Sequence, residues 1–226
     1  MTTSASGPSW ALRVHAACDW VVWAMAMNAL WILFTLAGAV VLGVAPATAT
    51  AAHLTRRRLR GEAFPVLHTF ATVWRSELFR SNVVLAPAMA VTGLLAAQAA
   101  SSALAGTIGE PLGAVCAVAA ALAFVLTALL APLYVHYDLP LHRYLPTASR
   151  WMLQNLAPAA LLAVAAVAVV TASVVVPGLI PFVSIGAWLS ISTALSLGFF
   201  AANDRALAEQ SAAPGAPPAS RSPRPA

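Results

Sequence analysis

Long apolar stretches divide this chain, and the segments between them alternate in character. Five apolar runs, about 20–44, 82–106, 112–135, 151–176 and 181–202, are each long enough to cross a hydrocarbon core of about 30 Å as a helix. The gap after the first run is long and basic, with Arg56, Arg57, Arg58, Arg60, Arg75 and Arg80. The gap after the third holds Arg143 and Arg150, and Arg205, Arg221 and Arg224 follow the fifth. The gaps after the second and fourth runs hold no basic residue. This alternation predicts an all-α polytopic membrane bundle of five spans with its arginine-bearing segments in the cytoplasm. An odd number of spans then puts the N-terminus outside and the C-terminus in the cytoplasm. Each span must be helical, because lipid offers no partner to a free backbone group.

The polar segments carry patterns of their own. Residues 1–19 form an N-terminal interfacial segment, with Trp10, Val14 and Ala17 on one side of a short helix. It lacks the basic start and small-residue cleavage site of a signal peptide. Trp20 and Trp23 mark the headgroup level at one end of the first span. Pro46 interrupts the chain, and residues 46–81 read as a cytoplasmic amphipathic section. Its first helix starts with small residues and ends in arginines that complement the negative end of the helix dipole, with Gly61 as the stop. A second helix starts near Pro65, with Phe64, Leu67, Phe70, Trp74 and Leu78 as an apolar stripe suited to the inner membrane surface. Pro140 and Pro146 allow only short helical pieces between the third and fourth spans. Residues 203–226, rich in Pro, Ala and Ser, read as a disordered tail. A faint echo links His68-Thr69-Phe70, Arg75 and Leu85-Ala86-Pro87 to His142-Arg143-Tyr144, Arg150 and Leu156-Ala157-Pro158, as a parallel repeat would.

Composition supports the membrane assignment. Charged residues are 8% of the chain, apolar residues 61%, and the mean hydropathy is +0.83. So few charges could not cover the surface of a water-soluble domain of this length. The net charge of +5 suits anionic lipid headgroups and topology better than nucleic acid, for which no binding motif is present. Lysine is absent, so arginine carries every fixed positive charge. Cys18 and Cys116 have neither metal nor redox spacing and read as two unrelated apolar cysteines, with a disulfide as the alternative because the expected topology puts both near the outer face.

Candidate chemistry is sparse. Asp19, Glu110, Asp138 and Asp204 map to span ends or loops, which argues against an ion-coupled pump. The in-span polar residues are mostly hydroxyls expected to bond between helices. Asn28 and Gln98 are the intramembrane candidates, since a lipid-facing amide is costly. Gly93 with Ala97, and Gly186 with Ser190, offer small-residue contacts for close helix approach. His136, Tyr137, Asp138 and His142 lack a recognised metal spacing. No nucleotide-binding loop or hydrolase motif is present. The expectation is therefore a non-enzyme without cofactor or metal. The main functional candidates are the cytoplasmic residues Arg56, Arg57, Arg58, Arg60, Phe70, Trp74 and Arg75, as contacts for lipid headgroups or for a partner.

One stretch resembles the YesL-like family of bacterial integral membrane proteins. The elements that carry the likeness are Asn28-Ala29-Leu30-Trp31, the small-residue run Ala45 to Ala52 read as a turn, the basic helix Arg56-Arg57-Arg58-Leu59-Arg60-Gly61-Glu62, and Phe70 with Trp74-Arg75. The resemblance implies a protein of the bacterial cytoplasmic (inner) membrane, encoded beside sugar-uptake systems that are often of the ABC type. It implies an accessory of carbohydrate uptake, with ABC transporter subunits as partners. The alternative is a small transporter or permease component working as an oligomer.

Overall fold

The computed structural model describes residues 9–212; the expectations for residues 1–8 and 213–226 lie outside this range. Helix α1 runs Ser9–Ala37 without interruption. The expected interfacial segment and first span are thus one helix, as fits a stretch that contains neither glycine nor proline.

A tight turn over residues 38–43 follows. Ala39 and Val40 lie in the left-handed region, at φ 52° and 66°. Gly38 and Gly43 face each other so closely that a Cβ on Gly38 would sit 2.6 Å from the Gly43 nitrogen. The turn therefore requires glycine at these points. It precedes the small-residue run, which is not a turn but the first half of α2, Val44–Leu59. Pro46 falls in the first turn of α2, where its missing N–H breaks no helical bond.

Helix α2 runs antiparallel to α1. Trp31 Nε1 donates to Thr48 Oγ1 at 3.0 Å, Trp23 Nε1 to Thr55 Oγ1 at 3.4 Å, and Arg58 pairs with Asp19. Residues 45–52, Leu54 and Thr55 are all buried. This corrects the reading of the run as part of a cytoplasmic amphipathic section. Alanine and threonine make a narrow rod that neighbouring helices approach from several sides, and the rod fills the middle of the bundle.

Helix α3, Val66–Leu104, joins the expected amphipathic helix and the second span into 39 continuous residues. Helix α4, Pro111–His136, returns alongside it. A short 3-10 turn, Leu141–Arg143, leads into α5, Tyr144–Gln154, and α6, Leu156–Val175. The break at Asn155 means that the expected fourth span began in α5. It also separates the two echoing stretches, since 68–87 is continuous helix and 142–158 is not. A π-turn, Ile180–Ser184, opens α7, Ile185–Ala212, whose last turns occupy residues expected to be disordered.

Five of these helices, α1, α3, α4, α6 and α7, are long and apolar enough to span a membrane. Because α2 doubles back on α1, the chain begins α3 at the end where Asp19 lies. The Arg58–Asp19 pair and the His136–Asp204 pair put the early part of α1 and the late part of α7 at the arginine end. The expected topology had placed the start of the first span and the arginines on opposite faces. The hairpin cancels that separation, because α2 adds a return leg that hydropathy could not reveal.

Candidate functional site

The deepest polar candidate is Asn28. It is fully buried on α1, and both polar atoms of its side chain are bonded. Nδ2 donates to the Pro181 carbonyl at 2.6 Å, and Oδ1 accepts from the Ile185 and Gly186 N–H groups at 3.0 and 3.1 Å. Where the π-turn passes into α7 the helical bond ladder changes register, and Asn28 caps that junction from a neighbouring helix. This contact needs Gly186: a Cβ there would sit 2.6 Å from the Asn28 nitrogen and would overlap the Ala24 carbonyl. Gly186 thus makes the close approach its spacing predicted. Gly93 does not; a Cβ there would meet nothing within 4 Å. Gln98 is exposed on the apolar flank of α3, far along the sequence from the charged end.

The cytoplasmic candidates are divided by the structure. Phe70 and Trp74 lie inside the protein, with 0% and 9% exposure, packed on Phe34 at ring separations of 4.9 and 5.4 Å. They fasten α3 to the α1–α2 hairpin and are closed to any partner. Arg57 bonds Glu62 and covers the Phe64 ring at 4.4 Å. Arg58 pairs with Asp19 and lies over Trp20 and Trp23, at 5.1 and 4.6 Å. Arg58 thus latches the α1–α2 hairpin, while Arg57 fixes the segment that leaves α2. Arg75 is exposed on α3, and Arg60 is exposed just after α2. Cys18 and Cys116 are both unpaired.

What the sequence reading missed is a polar basin of about 290 Å³ at the arginine end, built by α2, α3, α4 and the segment leading to α5. Arg80 bonds Asp138 at 2.7 Å and the Tyr144 hydroxyl at 3.4 Å. That hydroxyl donates to the Tyr137 carbonyl at 3.0 Å and accepts from the Leu139 N–H at 3.1 Å, which ties the loop after α4 to α5. Tyr134 donates to the Glu77 carboxylate, and Arg56 donates to the Val135 carbonyl. His53 lies on the same wall as Arg56; burial first, then the positive charges of Arg57 and Arg56, lower its pKa and keep the ring neutral. On the outer side, Tyr137 donates to Asp204 at 2.8 Å and His136 meets the same carboxylate at 3.2 Å. Burial and that bond push the Tyr137 hydroxyl up to about 12, so it stays a donor at neutral pH. Glu77 is the member hardest to foresee. In sequence it is one acid beside an apolar stripe; only the approach of α4 and α2 gives it company.

Beside the basin lies a groove of about 340 Å³ between the end of α2 and α7. Arg56, Arg60 and Leu59 form one wall, and Leu197, Gly198 and Ala201 the other. Deeper in the bundle, a cavity of about 360 Å³ is lined mainly by apolar side chains together with Thr48, Thr92, Thr127, Ser192 and Thr193. The Thr92 and Thr127 hydroxyls bond each other at 2.8 Å. Among the described residues, no group of three or more His, Cys, Asp and Glu side chains converges as a metal site would.

Comparison with known proteins gives a consistent but uninformative neighbourhood. A family model described as "Protein of unknown function, DUF624" matches residues 24–98, which hold most of the α1–α2 hairpin and most of α3. The chain is 32% identical over 142 residues to the uncharacterized protein YesV of Bacillus subtilis (strain 168), covering 60% of this chain and 66% of YesV. It is 37% identical over 84 residues to YteU of the same organism, covering 37% of each chain. It is 38% identical over 77 residues to the uncharacterized protein YesL, covering 32% of this chain and 37% of YesL. The matched region thus spans about two thirds of YesV and little more than a third of the other two. No solved structure matches.

Proposed function

Because the chain belongs to the DUF624 family of YesL-like membrane proteins, we propose that it is a non-enzymatic accessory of carbohydrate uptake in the bacterial cytoplasmic membrane. It works by docking to a transporter of the ABC type at its arginine end. The observation that carries this reading is the one-sided distribution of chemistry. Charged and ring-bearing side chains from α1, α2, α3, α4 and α7 collect at one end, next to an exposed basic and apolar groove. Asn28, by contrast, is consumed in holding helices together. The docking surface is not the one first expected, since Phe70 and Trp74 are buried. It consists of Leu59, Arg60 and the facing strip of α7.

In this reading the arginine end faces the cytoplasm, because moving clustered arginines outward opposes insertion. The early part of α1 and the late part of α7 are then both cytoplasmic. The docking test uses the full chain co-expressed with the membrane subunits of a carbohydrate ABC importer from the same organism. Leu59→Ser with Arg60→Glu should abolish recovery of the importer while membrane insertion stays normal. Undiminished recovery would overturn the docking surface.

The hydroxyl-bearing cavity favours a second reading, a permease component. Its discriminating result is substrate flux in vesicles containing this chain alone.

A further inference from the structure

The polar basin holds two half-buried charges of opposite sign that do not meet. Arg56 enters from α2 and makes one side-chain bond, to the neutral Val135 carbonyl; among the described residues no acid lies within ion-pair distance of it, and Glu62 acts on it only from farther away. Glu77 enters from α3 and accepts from the neutral Tyr134 hydroxyl; among the described residues it has no basic partner within ion-pair distance. His53 lies within electrostatic reach of both, so the two charges line one space rather than two separate ones. The other strong cation of the basin, Arg80, is satisfied by Asp138. Half-buried charges are normally paired, because a lost hydration shell must be replaced by something. Here, among the described residues, neither Arg56 nor Glu77 has a counter-charge within ion-pair distance, and the basin they line is about 290 Å³. That volume lies at the lower edge of small-molecule sites, which start at about 300 Å³.

We infer that this basin binds a small zwitterion of the amino-acid class, its carboxylate on Arg56 and its ammonium on Glu77. A simple anion would satisfy Arg56 but leave Glu77 unmatched and repelled, and a simple cation would do the reverse. A neutral polyol would bring no counter-charge to either group. The arginine fork suits a planar carboxylate, since two parallel N–H donors match its two oxygens. The neutral His53 ring beside Arg56 can take either hydrogen-bonding role. The basin shares Arg56 with the docking groove but not Leu59 or the α7 strip; with the orientation proposed above, its ligand would tie the state of the arginine end to a cytoplasmic metabolite.

The test uses the full chain in lipid nanodiscs and measures binding calorimetrically. The probes are L-alanine, its methyl ester, N-acetyl-L-alanine and sorbitol. L-Alanine should bind, and removing either charge, as the ester or the N-acetyl derivative, should weaken binding by about tenfold or more, the scale of a charge-assisted hydrogen bond. Glu77→Gln should weaken L-alanine binding to a similar degree and make the protein indifferent to N-acetylation. Arg56→Gln should make it indifferent to esterification. This paired loss distinguishes contact from general damage, and Glu77→Gln keeps an acceptor for Tyr134, so the fold is retained. Binding of sorbitol in preference to L-alanine would overturn the inference. So would failure of all four probes, or a Glu77→Gln protein that still discriminates against N-acetyl-L-alanine.

Discussion

Replacing Asn28 with leucine is the sharpest test of how this bundle is held together. Leucine keeps the branched outline of asparagine but is larger, so an overpacking cost adds to the polar one. What is lost is specific: one bond to the Pro181 carbonyl and two from the Ile185 and Gly186 N–H groups. In membrane proteins side-chain hydrogen bonds average about 0.6 kcal/mol each, so three set a floor of about 2 kcal/mol. Leaving a buried polar group unsatisfied costs about 1–3 kcal/mol. The Gly186 N–H, inside the α1–α7 contact, bears that cost in full, and the other two groups bear part of it. The expected loss is therefore about 2–6 kcal/mol, bounded by those two estimates. Unfolding in a mixed-micelle SDS titration, followed by tryptophan fluorescence, reads it directly. Gln98→Leu, on an exposed face, serves as the companion and should change stability by less than about 0.5 kcal/mol. A change in Asn28→Leu as small as in the companion would refute the capping role and return Asn28 to the list of residues available for transport.

Other outcomes follow from the same geometry. Gly186→Ala should destabilise by about 1–3 kcal/mol, because its methyl group overlaps the Ala24 carbonyl, whereas Gly93→Ala should be neutral or slightly stabilising in the same titration. Phe70→Ala should cost about 3–5 kcal/mol as a buried aromatic, an effect that a surface-docking residue would not show. Cysteines placed at residue 12 on α1 and at residue 206 on α7 should both resist an impermeant thiol reagent in intact cells, while one at residue 109 should react; labelling at residue 12 without labelling at 206 would contradict the α1–α2 hairpin as a return leg. His53 lies in α2, outside the five long apolar helices, and its pKa is lowered, chiefly by burial. The unfolded chain therefore takes up the proton first as pH falls through the ordinary histidine range near 6.5, so stability should drop on acidification from pH 7 to 5. His53→Gln should flatten that limb of the Tm–pH curve, and an unchanged limb would remove His53 as its source.

Much of this protein was fixed by composition and periodicity alone. Helices that must satisfy their own backbone in lipid leave a hydropathy trace, and the five long apolar helices of the fold correspond to the five apolar runs. The Gly61 stop of the basic helix and the need for a close helix contact at Gly186 were also local properties of the chain, legible because each depends on one residue and its neighbours. The course of α2 was not legible. Its alanines and threonines are neither apolar enough to register as a span nor polar enough to require a surface, and only the helices around it decide that the rod is buried. That decision reverses the relation between Asp19 and the arginines, encloses Phe70 and Trp74, and brings Glu77 to Tyr134 and into the same space as His53 and Arg56. The basin is built from residues on separate helices, and such convergence has no signature along the chain because it arises only when the helices pack.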